Sequence, residues 1–230
     1  MPAVADPTLL GTLDLFQGLS PADLARVNGL LGRTAFPAGA AIFTASQPGE
    51  IAYVVLAGTL KVSVVQPNGH ELILALLGRG EIVGELAMAD RGVRSADVVA
   101  IEPATLLWID RNALTQIRRD LPQVTENLLV LMARRLRLAN AQLEAIATLD
   151  VHGRVARQLL ALADAYGAPV PGGVQIPIRL TQGDLAALVG ATRVRVNEVL
   201  VGFKRRKHVS VDGRYRVTIH DREALEAFCT

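Results

Sequence analysis

Between about residue 41 and residue 109 the apolar positions come in short runs with a strand-like period, at 51–56, 59–65, 71–77, 96–101 and 104–109. Turn-forming sequences punctuate them: Gln47-Pro-Gly-Glu50, Ala57-Gly58, Pro67-Asn-Gly-His70, Gly78-Arg-Gly80 and Glu102-Pro103. Several short strands at this spacing predict an antiparallel sandwich or jelly roll, not a parallel sheet. Ahead of them Ser20-Pro-Ala-Asp23 offers an N-cap, a proline for the first helical position and an early acidic side chain. Leu24, Val27, Leu30 and Leu31 follow at helical spacing.

From Pro122 the period becomes helical. Residues 122–148 hold no internal glycine or proline, which predicts one long helix. Along it Leu129, Met132, Leu136, Ala139, Leu143 and Ile146 are spaced 3, 4, 3, 4, 3, the a/d seam of a coiled coil over nearly three heptads. A seam of this length predicts a parallel homodimer; a helix packed only on its own domain is the alternative. A helix beginning near Gly153 follows, then a turn-rich loop at 168–173, Ala-Pro-Val-Pro-Gly-Gly.

Thr181-Gln-Gly-Asp184 has the form of a capping box, with Asp in the usual place of Glu, and opens a helix whose inward face carries Leu185, Ala186 and Val189. Gly190 permits a sharp turn and Thr192 caps a second helix to about Arg206, so the pair reads as a helix-turn-helix. On the second helix Val196, Val199 or Leu200, and Phe203 face inward. Arg193, Val194, Arg195, Asn197, Glu198, Val201 and Lys204 face outward. Residues 209–219 then read as two strands around Asp212-Gly213, a hairpin where a winged domain carries its wing. The expected fold class is α+β: an N-terminal antiparallel β jelly roll over 1–121, a dimerisation helix and hinge over 122–150, and a winged helix-turn-helix over 151–230.

Charge sharpens this division. Residues 1–150 carry 12 Lys/Arg against 15 Asp/Glu, whereas 151–230 carry 12 against 7, so the basic C-terminal part is the one suited to a polyanion. An arginine-rich first turn befits a helix whose N-terminal end enters the major groove of double-stranded DNA. Thr192, Arg193, Val194, Arg195, Asn197, Glu198 and Lys204 are the expected contacts, with Arg214 and Arg216 of the wing reaching the backbone. The lone Cys229 excludes an internal disulfide and fits a cytoplasmic protein. No secretion signal or membrane-spanning run is apparent.

The jelly-roll part holds one polar cluster, Gly84-Glu-Leu86 with Arg94-Ser95. Glycine lets a ligand approach the backbone, arginine can grip a phosphate bidentately, serine adds a donor and glutamate accepts from a sugar hydroxyl. That set matches a cyclic nucleotide. Acid–base chemistry by Glu85 and an arginine is the enzymatic alternative, but neither a nucleophile–base pairing nor a metal-ligand cluster accompanies it.

These motifs, together with Met132-Ala-Arg-Arg-Leu136, Leu149-Asp-Val-His-Gly-Arg154 and the helix-turn-helix from Thr181, resemble the catabolite activator protein (Crp/Fnr) family over nearly the whole chain. The resemblance implies that cyclic AMP is the effector, with Gly84, Glu85 and Leu86 in the cassette, Glu85 on the ribose, Arg94 and Ser95 on the phosphate, Arg135 near Glu85, and residues 70–77 lining the pocket. Where cyclic-AMP-dependent members offer a Thr-Ser pair to the base, this chain has Ala139 and Asn140; Asn140 can still serve an adenine edge across the dimer seam. In the recognition helix Arg193 is kept, while Val194 and Glu198 replace the other two readers. RNA polymerase is an implied partner, through exposed loops such as 165–173. Two readings of the same fold stand beside this one. One is an effector-independent regulator with Glu85 and Arg94 paired to each other; the other is a haem-based gas sensor, suggested by Pro2 and by His70, His152, His208 and His220.

Overall fold

The computed structural model describes residues 2–67, 69–90 and 92–229, so Asn68 of the predicted Pro67–His70 turn and Arg91 of the cassette loop lie outside the described residues. Two short 3-10 turns, Pro7–Thr12 and Asp14–Phe16, lead into α1 (Pro21–Leu30). Ser20 caps that helix as its sequence predicts, accepting from the Asp23 N–H. Eight strands follow: β1 (Gly32–Phe36), β2 (Ala41–Phe43), β3 (Ile51–Ala57), β4 (Leu60–Val65), β5 (Glu71–Leu77), β6 (Ile82–Val83), β7 (Asp97–Ala100) and β8 (Ala104–Asp110). The short α2 (Glu85–Ala89) interrupts them after β6.

The strands form two four-stranded sheets, in the orders β1-β8-β3-β6 and β2-β7-β4-β5, and the pairings described are antiparallel. Adjacent residues of β3 and β8 go to different cores. Val55 and Leu106 join Phe43, Leu60, Leu77, Val98 and Ala100 between the sheets. Val54, Leu107 and Ile109 pack instead with Leu10, Phe16, Val27, Ile117 and Val124 of the helices and 3-10 turns. The first sheet is thus covered on both faces, which is why its strands read as nearly continuous apolar runs instead of alternating ones.

Asp110 caps α3 (Arg111–Asp120), accepting from the Ala113 N–H, and α4 (Pro122–Thr148) begins and ends where its sequence predicts. Val124 and Leu131 of α4 are buried in its own core. Of the predicted seam, Met132 packs against that same core, whereas Leu129, Leu136, Leu143 and Ile146 are 52–66 % exposed.

Contacts divide the chain into two compact units, Met1–Val64 with Ala75–Leu136, and Val65–Leu74 with Arg137–Thr230. In the second, α5 (Val151–Tyr166) is capped by Asp150, which accepts from the Gly153 N–H. The stretch expected to be a loop at 168–173 instead supplies β9 (Ala168–Val170), which pairs with β10 (Gly173–Ile176). Pro169 and Pro171 hid this, yet a proline is tolerated at the sheet edge that β9 occupies in the order β11-β12-β10-β9. Helices α6 (Gln182–Val189) and α7 (Arg193–Arg205) follow, then β11 (Val209–Val211), β12 (Val217–Ile219) and α8 (Arg222–Glu226).

The capping box at Thr181 is present in both directions, the Thr181 hydroxyl accepting from the Asp184 N–H and the Asp184 carboxylate from the Thr181 N–H. Gly190 closes α6 in the left-handed region, φ +61°, which lets the chain reverse within the few residues that separate it from α7. The wing departs from the two-residue Asp-Gly turn expected of it. Val211 pairs with Val217, leaving five residues at the tip, and Tyr215, not Gly213, takes the positive φ. Asp212 organises this longer tip by accepting from the Arg214 and Arg216 N–H groups at 2.8 and 2.9 Å. Among the described residues no helix is long and apolar enough to cross a membrane.

Candidate functional site

The cassette cluster is built where β6 turns into α2. Gly84 takes φ +85° there, and a methyl group in its place would collide with the Arg94 guanidinium. Glu85, the next residue, points inward and is 5 % exposed; one of its oxygens accepts from Arg135 Nη1 at 2.7 Å. Arg135 reaches this carboxylate from α4 and also donates to Glu81 at 3.1 Å and to the Ile82 carbonyl. Glu85 therefore pairs with Arg135, not with Arg94.

Arg94 is equally buried, 6 % exposed, and has no carboxylate partner within ion-pair distance among the described residues. Its two terminal nitrogens donate to the carbonyls of Gly84 (2.9 Å) and Ile51 (2.5 Å), and its guanidinium lies 4.1 Å from the centre of the Phe43 ring. Ser95 and Leu86 are exposed beside it. Burial pushes the Glu85 carboxyl above the ordinary carboxylate range, with Arg135 offsetting part of the rise. Burial also lowers the Arg94 pKa, against smaller opposing contributions from Tyr53, Glu85 and Glu50.

Among the described residues, three polar atoms of this cluster are buried with no hydrogen-bond partner: Glu85 Oε2, Arg94 Nε and Arg135 Nε. A buried acceptor and two buried donors left open in one cluster are costly unless something else supplies their bonds. A small anion with a free hydroxyl supplies both kinds. Asn140 belongs to the second compact unit and is exposed on α4. Sequence reasoning missed Phe43 and Glu81. Neither lies in a recognisable motif: Phe43 is brought to the cluster by the pairing of β2 with β7, and Glu81, just ahead of β6, is joined to it by Arg135 of α4.

The second candidate surface is α7. Thr192 caps it, and Val196, Val199, Leu200 and Phe203 are buried as expected. Arg193, Val194, Arg195, Asn197, Glu198, Val201 and Lys204 are exposed, so the predicted outward face is the one presented. Arg195 and Glu198 form a solvent-exposed pair at 3.0 Å, and Gln182 of α6 donates to Asn197 at 2.7 Å. Arg193 has no ion-pair partner among the described residues. At the wing, Arg214 is exposed and Arg216 partly so, and the Arg179 guanidinium stands over the Tyr215 ring at 5.2 Å. Among the described residues no group of three or more His, Cys, Asp or Glu side chains could hold a metal ion.

Two families of known proteins match this chain, one in each of its halves. Residues 33–120 match the cyclic nucleotide-binding domain family, and residues 153–228 match the Crp-like helix-turn-helix domain. The chain is 36 % identical over 217 residues to the CRP-like cAMP-activated global transcriptional regulator of Mycobacterium tuberculosis, covering 94 % of this chain and 96 % of that one. It is 36 % identical over 186 residues to the cyclic AMP receptor protein of Thermus thermophilus, covering 81 % and 83 %. Among solved structures, the c-di-GMP responsive global regulator CLP of Xanthomonas campestris has a similar fold at TM-score 0.74 and 24 % identity, over 87 % of this chain and 99 % of that one. A cyclic nucleotide-binding β-domain ahead of a Crp-like helix-turn-helix, with a relative of this identity along almost its full length, makes the chain a member of the Crp-like family of transcriptional regulators.

Proposed function

We propose that this regulator is controlled by cyclic AMP, held by the cassette around Glu85 and Arg94. The observation that carries the reading is the set of open buried atoms. Glu85 Oε2 accepts a ribose hydroxyl, and Arg94, whose guanidinium is already oriented by the Gly84 and Ile51 carbonyls, turns its remaining N–H groups to the cyclic phosphate. Gly84 and Leu86 border the ligand, Ser95 adds a hydroxyl donor, Arg135 offsets part of what burial costs the Glu85 carboxylate, and Asn140 serves the base across the dimer seam. The names of the Mycobacterium tuberculosis and Thermus thermophilus relatives support cyclic AMP over other cyclic nucleotides. Calorimetric titration with cyclic AMP, cyclic GMP and c-di-GMP tests the choice: saturable heat from cyclic AMP alone supports it, and preference for either rival overturns it.

The same reading makes the protein a cytoplasmic homodimer that senses its ligand without turning it over. Residues 1–121 sense, 122–150 dimerise and 151–230 bind DNA, where Thr192, Arg193, Val194, Arg195, Asn197, Glu198 and Lys204 face the major groove and RNA polymerase is a further partner. The exposed row Leu129, Leu136, Leu143 and Ile146 is what a second copy covers. Sedimentation should show a dimer, and Leu143→Asp, which puts a charge into the seam, should shift it to monomer at micromolar concentration; a monomeric parent would contradict the assignment. By bridging both copies the ligand favours one arrangement of the DNA-binding domains, the differential contact that coupling requires.

Glu85 gives this reading a pH dependence. An ionised carboxylate holds the hydroxyl more strongly than a neutral acceptor does, and burial holds the Glu85 pKa above its ordinary value, so protonation begins at a higher pH than for an exposed glutamate. Affinity for cyclic AMP should fall as pH is lowered through that raised pKa, whereas Glu85→Gln should give weaker but flat binding. Stability runs the opposite way. The folded state holds this proton more tightly than the unfolded chain, so the group favours folding below the ordinary glutamate value and loses that contribution as pH rises through its folded pKa. Calorimetry of both proteins across the acid range checks the sign, and an affinity that rises on acidification would exclude Glu85 as the hydroxyl acceptor.

A further inference from the structure

Arg94 fixes only the beginning of α2, through the carbonyl of Gly84. The other end of that helix is held by a side chain from a different part of the fold. Arg111, the first residue of α3, donates from Nη1 to the Met88 carbonyl at 2.7 Å and from Nη2 to the Ala87 carbonyl at 3.3 Å. The same Nη2 donates at 2.9 Å to the carbonyl of Gly49, and Nε pairs with Glu50 at 3.3 Å. Ala87 and Met88 lie in the last turn of the five-residue helix Glu85–Ala89, whose last carbonyls have no partner within the helix itself. Gly49 sits hard against the same place, because a methyl group on it would collide with Ala87.

The strand that begins two residues after Gly49 carries the Ile51 carbonyl, the second anchor of Arg94. Arg111 and Arg94 thus grip the same two backbone segments, 49–51 and 84–88, from opposite ends. We infer that Arg111 is a positioning residue for the effector site: by tying the end of α2 to the 49–50 segment it sets the separation between Glu85 and Arg94, without touching the ligand. Its planar fork reaches three carbonyls at once, which a single ammonium cannot do in that geometry. The inference rests on the cyclic AMP reading for its effect on binding, but not for its effect on the helix.

Two measurements on the full-length protein keep these apart. In Arg111→Lys and Arg111→Gln, amide hydrogen exchange across Glu85–Ala89 should quicken by roughly tenfold or more without ligand, while the sheet core and α7 keep their rates. Cyclic AMP affinity should fall by roughly tenfold or more in both variants, with effector-free DNA binding unchanged. Glu50→Gln, which alters the exposed pair and leaves the three carbonyl bonds, should behave as the parent in both assays. Unchanged exchange in α2 would overturn the inference whatever the ligand does. Faster exchange with unaltered cyclic AMP affinity would also overturn it, leaving Arg111 a support of the fold alone. A parent that ignores cyclic AMP but shows the exchange change would sink the effector reading and keep the anchor.

Discussion

Arg94→Ala is expected to abolish the effect of cyclic AMP on DNA binding and to weaken cyclic AMP affinity by about 2–5 kcal/mol, the usual cost of truncating a buried charged partner. That is roughly 30-fold or more in Kd. The expectation follows from how the side chain is held. Two of its nitrogens are committed to the Gly84 and Ile51 carbonyls and its flat face to Phe43, so the guanidinium is already oriented and its open donors point in a fixed direction. Truncation also leaves those two carbonyls without their donor, at about 1–3 kcal/mol of stability each. Arg94→Lys separates the two losses. It keeps the charge and most of the stem, yet cannot bond both carbonyls and a phosphate together. Calorimetry with thermal melting should show it folded and still badly impaired in binding; parental affinity in the lysine variant would remove Arg94 from the phosphate site.

Arg193→Ala should cost about 1–3 kcal/mol of operator affinity and relax the preference at a single base pair. Arg193 is exposed in the first turn of α7 without an ion-pair partner among the described residues, whereas Arg195 is occupied by Glu198 and Asn197 by Gln182. A free guanidinium there can bond both acceptors of a guanine edge. Competition binding against an operator panel changed at one position at a time measures the result. A loss shared equally by all sequences, with a shallower salt dependence, would instead make Arg193 a phosphate contact.

Much of this architecture is legible in the sequence because one physical pattern dominates each part. The central runs of β3 and β8 are apolar almost throughout since both faces of their sheet are covered, and α4 carries a seam of which Leu129, Leu136, Leu143 and Ile146 stay exposed. Thr181 and Gly190 announce the helix-turn-helix by capping chemistry alone. Helix α3 has no counterpart in the sequence reading: its buried residues Ala113, Leu114 and Ile117 fall on one helical face, but ten residues squeezed between β8 and α4 are a short window for a period. At 168–173 two prolines argue against a strand that tertiary pairing nonetheless makes, and at the wing Asp212-Gly213 suggests a tighter turn than the five-residue tip observed. The cassette motif marks Gly84, Glu85 and Arg94. Nothing local marks Phe43 or Arg111, because their roles arise from long-range pairing that brings residues dozens of positions apart to one helix.

Regulation by a ligand requires coupling between the two surfaces. Fluorescence anisotropy of a labelled inverted-repeat operator, titrated with the purified protein at one fixed salt concentration with and without saturating cyclic AMP, measures it directly. Cyclic AMP should tighten binding by roughly 5- to 150-fold, the range of 1–3 kcal/mol typical of such coupling, and should do nothing in the Arg94→Lys variant. Superimposable curves for the parent protein with and without cyclic AMP would contradict it.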